Sequence, residues 1–167
     1  NITCILAPNP SPMTFKGTNT YVVGDVELAI IDPGPINDEH LVRIFNVIEN
    51  RPVKYIFLTH SHIDHSPLAD QLSKQLSSPT YAYGASDSGL SSIMLNLIAE
   101  GYESGSEGID SDFIPKHLVK DGDTFELGDK QISIIYTPGH MGNHICLQYD
   151  KILFTGDHIM DWATSMV

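Results

Sequence analysis

The chain has 167 residues, 41% of them hydrophobic, and a formal net charge of −12 from nine basic and 21 acidic side chains. That length supports one domain with its own core. No apolar run approaches the ~20 residues that span a bilayer, and the acidic balance opposes non-specific binding to nucleic acid or acidic membranes.

The elements follow in chain order. Thr20 to Val23 and Val26 to Ile31 are β-rich runs separated by the turn pair Gly24-Asp25, and Ile31-Asp32-Pro33-Gly34-Pro35 ends the second. A helix is expected from about Asn37: Asn37 caps it, Asp38 and Glu39 suit its positive end, and Leu41, Ile44, Phe45 and Ile48 recur at helical spacing. Val53 to Leu58 reads as a buried strand. A second helix then has Ser66 as N-cap, Pro67 at its first position and a Leu68, Leu72, Leu76 stripe. Pro79 to Tyr83 is a short strand. Leu90, Ile93, Met94, Leu97 and Ile98 predict an amphipathic helix stopped by Gly101, with Met94 as core filler. Glu103 to Asp112 reads as a solvated connector rather than a gating insertion. Short strands close the chain: Thr124 to Leu127, Gln131 to Tyr136, His144 to Tyr149 and Lys151 to Phe154. Strands mixed with helices, then a block of strands, predict an α/β fold of sheets with helices on their outer faces. Two cysteines, Cys4 and Cys146, show neither a disulfide framework nor zinc-type spacing. Together with the lack of a signal peptide in Asn1 to Pro12, they predict a cytoplasmic setting, with Cys146 as a small core residue.

The chemistry concentrates in Thr59-His60-Ser61-His62-Ile63-Asp64-His65, directly after a predicted strand. Neutral imidazoles with a carboxylate are the ligand set that zinc and other borderline metals prefer. His60 and His62 are two apart, so in an extended segment both point to one side; Asp64 and His65 follow a turn and face elsewhere. One loop can therefore serve two adjacent ions. Tyr136-Thr137-Pro138-Gly139-His140 and Phe154-Thr155-Gly156-Asp157 repeat the pattern of strand, glycine and ligand-type residue, so three strand ends converge on one predicted site. His144 is expected to pack or to support a ligand, His158 to face away from Asp157, and His40 and His117 to lie on the surface. Thr18, Asn19 and Thr20 divide between a pocket role and a turn role.

These residues resemble the metallo-β-lactamase-fold hydrolase superfamily. The resemblance runs through Gly17-Thr18-Asn19-Thr20-Tyr21, the Asp32-Pro33-Gly34 turn, HxHxDH, Thr137-Pro138-Gly139-His140 and Gly156-Asp157. Asn9-Pro10-Ser11-Pro12-Met13 and Gly156-Asp157-His158 favour the branch containing β-lactamase-like protein 2 and glyoxalase-II-like proteins. The resemblance implies a single αββα sandwich domain over residues 1–167. It implies a first metal on His60, His62 and His140, a second on Asp64 and His65, and Asp157 bridging both. The implied cofactor is zinc, one or two ions, with Mn or Fe as alternatives. The implied reaction is attack by metal-activated hydroxide on a thioester, ester or phosphodiester, with Asp64 as the catalytic residue that orients the nucleophile and accepts its proton. A small ester or thioester is the expected substrate, RNA ranks below it given the acidic charge, and a lactone is a further option. A metal-binding remnant without turnover is the alternative. His65 and Asp157 stand where the best-known zinc β-lactamases carry Arg and Cys, and His62 where flavodiiron relatives carry Glu, which disfavours both activities.

The family pattern also has a further histidine well after the Gly-Asp motif, followed by more strands and a helix. Only His158 follows Asp157 here. The expectation is therefore an incomplete second half, a weak or empty second metal site, and an apolar face that favours a homodimer.

Overall fold

The structure is a computed structural model that describes residues 1–101 and 108–164. Its first sheet has six strands in sequence order: β1 (Ile2–Leu6), β2 (Asn19–Gly24), β3 (Leu28–Ile31), β4 (Val53–Phe57), β5 (Thr80–Ala82) and β6 (His117–Leu118). β1, β2 and β3 pair antiparallel, and β3 through β6 run parallel. Helices α1 (Asp38–Ile48) and α2 (Leu68–Leu76) are the crossovers that parallel pairing requires. The second sheet is antiparallel, in the order β10 (Ile152–Phe154), β9 (Ile145–Tyr149), β8 (Lys130–Tyr136), β7 (Thr124–Leu127).

Strand β3 explains the layering. All four of its residues, Leu28-Ala29-Ile30-Ile31, are buried, as expected of a strand covered on both faces. Period-two alternation sends Leu28 and Ile30 into a core with Ile44 and Ile48 of α1 and Leu68 and Leu72 of α2. Ala29 and Ile31 join Phe57 in the opposite core, against Leu127, Ile132, Ile134, Ile145 and Leu147 of the second sheet. The order of layers is helices, sheet, sheet. Cys146 lies buried in β9, as expected of a core residue.

Several local expectations change. Asn37 caps α1 as predicted, its side chain accepting from His40 N at 2.9 Å. His40 is not a surface residue: it is fully buried and its Nε2 lies 2.8 Å from Thr20 Oγ1. Pro67, not Ser66, is the N-cap of α2; the Ser66 hydroxyl is drawn away to Asp110 Oδ2 at 2.6 Å. The third helix is shorter than predicted, α3 (Ser92–Ala99), and none of its residues is buried, so Met94 is not core filler. β1 and β6 had no distinct sequence signal; each is an edge strand of the first sheet. The connector expected over 103–112 lies outside the described residues at 103–107, and Ile109 forms a bridge with His62.

Candidate metal centre

The carboxyl ends of the parallel strands point one way, and the predicted ligands gather there. β4 ends at Phe57, and the following loop carries Thr59, His60 and Ser61 fully buried. That loop is held extended by Asp110 N donating to Ser61 O (2.8 Å) and Ile63 N to Gly108 O (2.8 Å). His140 comes from the loop between β8 and β9, and Asp157 from a 3-10 turn, Gly156–His158, just after β10. That turn comes so close to the β4 loop that a Cβ on Gly156, whose φ is +48°, would lie 2.7 Å from both His144 Nε2 and Thr59 Oγ1. His158 thus sits in this turn, not in a strand.

One ligand atom each from His60, His62, His140 and Asp157 lies within 4.8 Å of the others. His62 Nδ1 is 3.0 Å from both His60 Nε2 and His140 Nε2. Tetrahedral zinc with Zn–N near 2.05 Å would set such nitrogens roughly 3.3 Å apart, so the histidines already stand close to ligand spacing. Asp157 reaches both ways: Oδ2 is 3.6 Å from His140 Nε2 and 3.9 Å from His60 Nε2, while Oδ1 is 3.5 Å from His65 Nε2. His65 Nε2 is also 3.3 Å from Asp64 Oδ2. All six predicted residues therefore meet in one place, three histidines on one side of Asp157 and the Asp64–His65 pair on the other.

Asp32 organises both sides, a role the sequence reading missed. It ends β3 in a left-handed conformation, φ +50°, which Asp tolerates, and is almost fully buried. Its Oδ1 accepts from Thr59 N (2.7 Å) and its Oδ2 from Thr59 Oγ1 (2.7 Å). The Thr59 hydroxyl proton is thereby committed, so Thr59 Oγ1 accepts from His60 Nδ1 at 2.9 Å and leaves the Nε2 lone pair facing the cluster. Asp32 Oδ2 also accepts from His65 Nδ1 at 3.0 Å, turning His65 Nε2 toward Asp64 and Asp157. A carboxylate behind a ligating histidine fixes its tautomer and raises its basicity. Thr18 Oγ1 donates to Asp64 Oδ2 at 2.6 Å, which assigns that threonine to the pocket. Asn143, also unmarked by the sequence, ties the His140 loop to Ser61 Oγ (2.9 Å) and Ala85 O (3.1 Å). His144 is buried, with Nδ1 2.9 Å from Thr137 Oγ1 and its ring 5.1 Å from that of His60, so it supports the cluster rather than joining it. His117 is exposed, as expected, and stacks on Tyr81.

The electrostatics separate the two sides. Burial, then the neighbouring His65, His144 and other rings, hold the His60 pKa well below its ordinary value. Burial and His140 lower His62 to about 4, and burial and His140 lower His144 to about 3. Burial also opposes charge on His65, but Asp32, Asp64 and the bond to Asp157 outweigh it and hold that imidazole well above its usual pKa. Burial raises Asp64 and Asp157, yet His65 more than offsets this and both carboxyls titrate low. Neutral imidazoles converging beside ionised carboxylates are the protonation states a divalent ion needs, so the donor set fits one. On the other side a proton on His65 sits among three carboxylates, where a second ion would take its place.

A fold of two apposed sheets with a histidine–aspartate cluster at the strand ends defines a metallo-hydrolase type of scaffold. The chain matches the family model of the metallo-beta-lactamase superfamily over residues 13–164, and it belongs to that superfamily. It is 28% identical over 171 residues to a beta-lactamase-like protein 2 homolog of Caenorhabditis elegans, covering 99% of this chain and 52% of that one. It is 29% identical over 168 residues to the atrochrysone carboxyl ACP thioesterase dmxR1 of Cryptosporiopsis sp., covering 98% of this chain and 45% of that one. The crystal structure of ETHE1 from Myxococcus xanthus superposes with a TM-score of 0.67 at 20% identity, over 96% of this chain and 58% of the other, which shows the shared fold. The chain spans about half the length of the curated relatives it matches. Among the described residues no helix is long and apolar enough to cross a membrane.

Proposed function

We propose that this chain provides the metal centre of a hydrolase that cleaves a thioester, with oxygen esters and phosphodiesters as less favoured substrates. The observation that carries the reading is the convergence of His60, His62, His140 and Asp157 within 4.8 Å, with Asp157 also lining, beside Asp64 and His65, a cleft of about 270 Å³. His60, His62 and His140 would hold a first ion, and Asp64 and His65 would contribute to a second, with Asp157 between the two groups. Zinc is the metal the nitrogen-rich set suits best, with manganese or iron as alternatives. An ion bound there supplies Lewis acidity and lowers the pKa of water toward neutrality. Asp64, ionised and oriented by Thr18 at Oδ2, holds the attacking water and accepts its proton. Asp32 keeps His60 and His65 in the tautomers that present Nε2. A thioester ranks first because one relative is named as an acyl-carrier thioesterase and because the chain's net charge of −12 opposes a polyanion.

The test is hydrolysis of a chromogenic thioester by the purified chain with added Zn²⁺ or Mn²⁺, beside an RNA oligonucleotide. Thioester cleavage abolished by His60→Ala supports the reading. Cleavage of RNA alone moves the assignment to a nuclease, and stoichiometric metal with no turnover on either probe makes the chain a metal-binding module.

A further inference from the structure

The cleft beside the metal cluster is lined by two chemically different sets of side chains: Asp64, His65 and Asp157, and Met13, Ile159 and Trp162. Those three apolar side chains are 64%, 63% and 43% exposed, a sizeable apolar surface next to a buried polar centre. Trp162 is braced: the Phe15 ring stacks on it, with centroids 5.6 Å apart and planes 19° apart, and Phe15 itself does not line the cleft. Phe15 holds a left-handed backbone, φ +55°, which is unfavourable for a bulky residue and persists where surrounding structure enforces it. The surrounding structure is a short loop pinned by Ser11 Oγ accepting from Thr14 N (3.0 Å) and Asn9 Oδ1 accepting from Thr18 N (3.0 Å). The same Thr18 donates to Asp64, so the loop that carries the aromatic brace is also tied to the polar lining of the cleft.

Charge narrows what fits. Among the described residues, four aspartates line the cleft, and neither Lys nor Arg does. Lys16 lies over the Phe15 ring at 5.5 Å and is not part of the lining. Bound ions would offset Asp32, Asp64 and Asp157, but Asp161, which precedes Trp162 in the chain, belongs to a wall that the described residues leave without Lys or Arg.

We propose that Trp162, braced by Phe15 and flanked by Met13 and Ile159, is the acyl-group site of this cleft, selecting uncharged apolar acyl groups, aryl ones best, and rejecting anionic ones. This rests on the hydrolase reading above and assigns the substrate class for the same site. Trp162 is the only tryptophan of the chain, so its emission reports the site directly. The experiment titrates the purified chain, with and without Zn²⁺, using three stable ketones that mimic an acyl group without a leaving sulfur: propiophenone, 4-propionylbenzoate and 2-butanone. The expected result is a saturable change in Trp162 emission with propiophenone and affinity at least about tenfold weaker for the other two. In Phe15→Asn, which suits the left-handed backbone but removes the ring, propiophenone affinity falls about two- to twelvefold, the equivalent of one stacking contact. Equal affinity for the three ketones, the absence of a saturable signal, or unchanged affinity in a folded Phe15→Asn protein overturns the proposal. The readout needs no turnover, so a chain that binds propiophenone but hydrolyses nothing refutes the proposed reaction and leaves the acyl site standing.

Discussion

Asp32→Asn is the most discriminating perturbation of the metal centre, because it changes one atom of a side chain that touches no ion. Asp32 accepts three hydrogen bonds, from Thr59 N and Thr59 Oγ1 at 2.7 Å and from His65 Nδ1 at 3.0 Å. An asparagine in that position must turn an NH₂ toward one of those donors. If the NH₂ faces Thr59 N, two donors collide. If it replaces Oδ2, it removes the acceptor shared by Thr59 Oγ1 and His65 Nδ1: the His60 bond through Thr59 Oγ1 is disturbed, and His65 must switch tautomer to accept, so that its Nε2 carries a proton where a second ion would bind. A lost charge-assisted hydrogen bond is worth about 1.5–3 kcal/mol, and disrupting a carboxylate behind a metal-ligating histidine typically costs about 10- to 100-fold in metal affinity. Zn²⁺ affinity in Asp32→Asn is therefore expected to fall by that factor, with the second ion lost before the first, and folding stability to drop by about 1–3 kcal/mol. Competition titration against a chromogenic chelator and thermal unfolding of the zinc-free protein measure the two effects. Unchanged affinity for both ions in a protein that folds normally would refute the relay from Asp32 to His60 and His65.

Three further outcomes follow from the same geometry. Asp64→Asn keeps the first ion, because Asp64 lies on the far side of Asp157 from the three histidines, but lowers the turnover rate by about 10²–10⁴ as the proton acceptor is lost; metal content by mass spectrometry beside kcat separates the two. Gly89→Ala places a Cβ 2.0 Å from Gly142 O at φ +77°, so it is expected to cost at least about 1–3 kcal/mol and to weaken metal binding by displacing the loop that carries His140, both seen in a thermal shift with and without zinc. In the chelator-treated protein, His144 and His62 are neutral when folded, with pKa values of about 3 and about 4 against an unfolded value near 6.5. Stability they provide is full above pH 6.5 and is lost as pH falls from there toward 4; the buried His144 alone contributes a slope of up to about 1.4 kcal/mol per pH unit. His65, with its raised pKa, does the opposite and stops contributing as pH rises through its folded value, so a denaturation series should find a maximum near pH 6.5–7 and steep acid loss. A flat profile between pH 7 and 4.5 would contradict the protonation states assigned here.

The clustered residues were legible in the sequence because strand and turn chemistry bring them to strand ends, and the family resemblance implied their roles. His60 and His62 share a side by the period of an extended chain, and glycine turns end the strands that present His140 and Asp157. Helix α1 was equally legible, since its cap and its apolar spacing are local. The supporting residues were not. Asp32 and Thr59 are 27 positions apart and meet only because β3 and β4 pair in parallel, which no local pattern specifies. His40 looked like a surface residue of an amphipathic helix, yet the Thr20 hydroxyl across the first core gives it a partner and permits burial. Helix α3 has the apolar spacing of a packed helix and buries nothing, because spacing reports the pattern and not the presence of a surface to cover it.

Anomalous diffraction from crystals grown with zinc tests the central claim most directly. A zinc peak is expected within about 2.0–2.2 Å of His60 Nε2, His62 Nδ1 and His140 Nε2, with Asp157 directed toward it. A peak bound elsewhere on the chain, or none at this cluster under saturating zinc, would contradict it.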